Sequence, residues 1–92
     1  MKTIEQVTEA VAFHFKMEPA ELLSPRRTEE IAWPRMLAMS ICAEEGHLQS
    51  DIDLAFLHKH GAAYHAVGAV RDRITMPKYL ADYRLAKGRL NR

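Results

Sequence analysis

Apolar residues recur every three or four positions through most of this chain, interrupted by short polar or proline-marked breaks. Ile4, Val7, Val11 and Phe15 form the first such stripe, with Glu5 and Glu9 opposite, and predict a helix that Thr3 caps. Met17 closes the segment toward the core. Pro19 suits the first turn of a second, short helix capped by Glu18, with Leu22 and Leu23 buried. Ser24-Pro25 ends it, because a residue before proline is pushed out of the helical region. The polar loop Arg26-Arg27-Thr28 follows.

A longer third helix is predicted from about Glu29 to Glu45, with Ile31, Met36 or Leu37, Met39 or Ser40, and Ile41 with Cys42 as its apolar members. Pro34 is expected in the first turn or so, where a missing N–H does least harm, and Gly46 supplies the stop. Ser50 reads as the cap of a short fourth helix, with Asp53 in a capping-box position and Ile52, Ala55 and Phe56 inward. Leu57 to Lys59 make a tight connection to a fifth helix, from near His60 to Ile74, rich in glycine and alanine. Pro77 starts a sixth helix that reaches about Leu90 and is basic toward its end.

This pattern predicts an all-α fold, five to six short helices in one compact bundle, as a single domain over residues 1–92. Helices four and five, joined by three or four residues with small side chains opening the second, match a helix-turn-helix. Small residues let a helix lie deep in a groove or close against a neighbour.

Composition adds bounds. With 92 residues there is room for one core. Thirteen Lys and Arg against twelve Asp and Glu leave a net charge of +1, so any case for nucleic acid depends on where the charges sit. Cys42 is the sole cysteine, which excludes an internal disulfide and fits a reducing compartment. There is no signal-peptide run and no window of about 20 apolar residues, so a cytoplasmic protein without a membrane partner is expected. A glycine-rich phosphate loop, a carboxylate pair in a cleft and a nucleophile with a base partner are all missing, so neither an enzyme nor a cofactor is expected. His58, His60 and His65 invite a metal reading. His60 and His65 would point to different faces of a helix, however, and Cys42 belongs to another helix, so no metal is expected.

Two stretches sharpen the picture. The first runs Glu21-Leu-Leu-Ser-Pro-Arg-Arg-Thr-Glu-Glu-Ile-Ala-Trp-Pro-Arg35. The second runs Asp51-Ile-Asp-Leu-Ala-Phe56 and then Lys59-His60-Gly-Ala-Ala-Tyr-His65-Ala66. Together with the first helix they resemble the C-terminal DNA-binding domain of the bacterial replication initiator DnaA, over roughly residues 3 to 75. The resemblance implies a Trp-repressor-like fold with helices four and five as the helix-turn-helix. It implies that Arg27 enters a minor groove from its loop, that Arg35 binds phosphate, and that His60 reads base edges and backbone. Departures accompany the matches. Lys59 stands where the family has aspartate, Gly61 and Ala62 where it has two hydroxyl residues, Glu29 where it has a second loop arginine, and the turn is one residue shorter.

The expected partner is therefore double-stranded DNA, bound by a monomer. Arg26, Arg27, Arg35, His58, Lys59, His60, Gly61 and Ala62 are the contact candidates. The amino end of helix five, with its free N–H groups and Lys59, is expected on phosphate. Readout should be weakened or altered, because glycine and alanine have no side-chain hydrogen bond to offer a base edge. A second reading keeps the same fold as a helical protein-interaction module, with Glu29 and Glu30 breaking the cationic face. Trp33 and the pair Met36 and Met39 read as core, and His65 as a half-buried residue packed on the third helix.

Overall fold

Thr3 starts the first helix, α1 (Ile4–Phe15), through a complete capping box: its hydroxyl accepts from Gln6 N–H, and the Gln6 side chain accepts from Thr3 N–H. The computed structural model describes residues 1–26, 28–56 and 60–92. Arg27, Leu57, His58 and Lys59 lie outside the described residues. The remaining helices are α2 (Pro19–Leu23), α3 (Glu29–Glu44), α4 (Gln49–Ala55), α5 (Ala62–Arg73) and α6 (Pro77–Leu90). Among the described residues no strand forms, and no helix is long and apolar enough to cross a membrane.

The third helix is the hub. α1, α2, α4 and α5 all pack on α3, and α6 packs on α1. Consequently Leu37 through Cys42 are buried without a break, Ser40 among them. A helix wrapped on all sides needs no amphipathic stripe, which is why the apolar members of α3 were ambiguous in the sequence. Its start is acidic, with Glu29 and Glu30 in the first turn favoured by the helix dipole. Pro34 sits as the sixth residue, deeper than the first turn expected for it, so the Glu30 carbonyl loses its helical partner. The stop is as predicted. Gly46 takes φ 99°, its N–H donates to Ala43, and His47 N–H donates to Cys42 in a Schellman arrangement.

Trp33 is core, as read from the sequence. It is 7% exposed, donates its indole N–H to Asp82 Oδ2 at 3.0 Å, and meets the edge of the Tyr79 ring. This ties α3 to α6. His14 Nε2 lies 2.8 Å from the other Asp82 oxygen, and Glu44 accepts from both Tyr83 and Lys87. Three side chains on α1 and α3, His14, Trp33 and Glu44, thus clamp α6 to the bundle. Cys42 is fully buried, and burial, reinforced by the charge of Glu45, pushes its thiol up to about 12. No thiolate is available there for chemistry at neutral pH.

Candidate nucleic-acid interface

The amino end of α5 has no capping side chain of its own. Gly61 occupies the cap position at φ 94°, a left-handed backbone that any β-carbon would strain. The cap comes from the preceding helix instead. Asp53, only 4% exposed, accepts from Gly61 N–H at 3.0 Å and from Ala63 N–H at 2.7 Å. The expected capping box at Ser50 is therefore corrected: α4 begins at Gln49 with Leu48 as its cap, and Asp53 reaches forward across the turn, not back. A second correction follows. Two of the N–H groups that would have met phosphate are already engaged by a buried carboxylate, so the amino end of α5 is no vacant anion site.

The connection is also longer than the three or four residues anticipated, since residues 56–61 separate α4 from α5. His60 is exposed and belongs to this turn, not to the helix it was expected to open. Along α5, Ala63, Ala66 and Val70 face inward at helical spacing. Tyr64, 67% exposed, and His65, Arg71 and Asp72 face out, with the half-buried Gly68 between them. His65 is thus solvent-facing, contrary to the half-buried place predicted for it. Packing of its alanine side against α3 turns residues 64 and 65 away. This outward face was missed from sequence, although its phase follows once Ala63, Ala66 and Val70 are known to be buried. Asp53 was missed as well. The available signal was a helix start at Gly-Ala-Ala, which has no side-chain cap and must borrow one.

Arg35 is the largest correction. It was expected on phosphate, yet its side chain is 4% exposed and turned into the bundle. Its Nε donates to Leu22 O at 2.8 Å, Nη1 to Arg26 O at 2.7 Å, and Nη2 to Ser24 O at 2.6 Å, with Glu21 O at 3.5 Å. The planar fork gathers the unpaired carbonyls at the end of α2 and of the loop beyond it. Desolvation by burial lowers its pKa from the usual arginine range. A guanidinium that is 4% exposed and has four of its five N–H groups on backbone carbonyls is not placed to meet a phosphate. What it does is hold the backbone of the loop on which Arg26 stands exposed. Arg27, the residue expected in a minor groove, lies outside the described residues, as do His58 and Lys59. Ala62 is half-buried at the first position of α5.

A short helix, a turn and a second helix whose outer face is free make a helix-turn-helix, held by Asp53 across the turn. The family described as bacterial dnaA protein helix-turn-helix matches residues 4–70. The chain belongs to this family. The DnaA match covers α1 through most of α5 and leaves α6 outside it. Within the DnaA frame, the departures at residues 61 and 62 acquire a local reason. Gly61 suits the left-handed turn, and the backbone N–H groups of residues 61 and 63 are capped by Asp53, so the helix start needs no hydroxyl side chain of its own.

Proposed function

We propose that this chain binds duplex DNA by laying α5 in the major groove. Tyr64, His65 and Arg71 are the side chains aimed at it, while Arg26 and Arg27 approach the flanking backbone and minor groove. The observation that carries this reading is the free outer face of α5 on a helix fixed by the buried Asp53 cap. Membership of the DnaA helix-turn-helix family supports it, because that architecture reads DNA through its second helix. Base readout differs from the initiator's. Gly61 and Ala62 supply no side-chain donors or acceptors, so discrimination passes to Tyr64 and His65 in the first turn and to Arg71 in the last turn of α5. His60 approaches the backbone from the turn. The chain acts by binding, as a monomer, with no hydrolytic step and no cofactor.

Fluorescence anisotropy of a labelled duplex across a salt series tests this. About four phosphate contacts give a slope of log K against log salt near −3.6, so raising salt fourfold weakens binding about a hundredfold. Binding that ignores salt, or none at low salt, rejects the proposal. A protein-interaction module on the same fold is the second reading. It is favoured by Leu48 and Leu54, 68% and 75% exposed at the two ends of α4, and it predicts no salt-dependent duplex binding.

A further inference from the structure

The last turn of α1 and the second half of α6 enclose an open groove of about 510 Å³. Phe13, Lys16, Arg84, Leu85, Arg89 and Arg92 are among its lining residues, and no Asp or Glu side chain lines it. Asp82, one turn away on α6, is occupied by His14 and Trp33. Glu9 lines an adjoining hollow together with Lys2. Two large apolar side chains are left open to water here, Phe13 at 61% and Leu85 at 60% exposure. The Arg89 guanidinium lies 3.6 Å from the centre of the Phe13 ring. A guanidinium stacked on a ring has its position fixed while its N–H edges stay free, which suits it to a carboxylate.

We propose that this groove docks an acidic, amphipathic segment of a protein partner, with apolar side chains on Phe13 and Leu85 and carboxylates on Lys16, Arg84 and Arg89. Charge complementarity selects an acidic occupant. The apolar pair selects protein over duplex DNA, whose bases are stacked inside and whose outer backbone brings charge but nothing to cover a phenylalanine and a leucine. Half of the groove belongs to α6, outside the segment matched to the DnaA family. No residue of α5 lines the groove, so this surface does not depend on the proposed DNA face.

The test is fluorescence polarisation with a labelled synthetic peptide of about 16 residues, roughly four helical turns, carrying leucine on one face and glutamate on the flanks. Two control peptides replace every glutamate by lysine or every leucine by serine. Saturable binding of the parent peptide is expected, weakened about tenfold or more by either replacement. Arg84→Gln with Arg89→Gln, and separately Leu85→Ser, should weaken it comparably. These are exposed helix positions, and circular dichroism checks that each variant folds. The anisotropy of a labelled duplex should change far less in the same variants. Equal binding of the lysine peptide, or no saturation at millimolar protein, overturns the proposal. So does a loss of duplex binding in the arginine variant with peptide binding intact, which would make the groove a nucleic-acid surface.

Discussion

Replacing Arg35 by alanine removes three short hydrogen bonds to the carbonyls of Leu22, Ser24 and Arg26, and a long one to Glu21. Hydrogen bonds to a charged group contribute about 1.5–3 kcal/mol each, so three would sum to roughly 5–9 kcal/mol if they were independent. They are not independent, because one side chain makes all of them and the freed loop carbonyls can turn to water. A loss of about 3–5 kcal/mol is the reasonable expectation, comparable with removing one partner of a buried ion pair. That is a large share of the roughly 5–14 kcal/mol that holds a domain of this size together. Arg35→Lys should recover only part of it, since an ammonium cannot span the carbonyls that a planar fork reaches. Urea denaturation followed by circular dichroism measures both variants. If Arg35→Ala stays within about 1 kcal/mol of the parent, while its duplex affinity falls and its salt slope loses about one unit, the residue is on phosphate and the structural role is wrong.

Other consequences follow from the same contacts. Asp53→Ala strips the cap from α5 and leaves two N–H groups unpaired, which should cost about 2–4 kcal/mol in the same denaturation experiment. Gly61→Ala forces a β-carbon into the left-handed region with no atom near enough to clash, so the strain alone should lower stability by about 1–2 kcal/mol. Stability should also fall in alkali. The Cys42 thiol is raised in the folded chain, so its contribution is complete below its ordinary value of 9.0 and is lost as pH climbs toward about 12. Tyr83 and Lys87 are shifted upward too, and their contributions act in the same direction. Cys42→Ala should flatten this alkaline decline, as read from thermal midpoints across the range.

Much of the fold was legible from the chain because local chemistry and packing agree. Thr3, Pro19, Gly46 and Pro77 each mark a helix boundary within a residue of where it falls. Reading was poorest where one element answers to another. α4 starts before Ser50, with Leu48 at the N-cap position and no side chain capping it, and the residue that looked like a partner for Ser50 serves α5. Nothing in a linear pattern says that an aspartate will reach forward across a turn. For the site, a motif aligned by order cannot report which way a side chain turns. Arg35 follows Pro34 in a pair that resembles a phosphate contact, yet the carbonyls left open where α2 ends before Pro25 lie within its reach and draw it inward. Conversely Tyr64 and Arg71, absent from the candidates, stand on the open face because small residues bury the opposite side of α5.

The outer face of α5 is the surface proposed to meet a duplex. An amide correlation spectrum of the isotope-labelled protein, recorded as unlabelled duplex is added at low salt, tests that most directly. Shifts should concentrate on residues 60–72 and on Arg26, with residues 13–16 and 84–89 left nearly in place. A spectrum in which the α1 and α6 residues move while Tyr64, His65 and Arg71 stay still would contradict it.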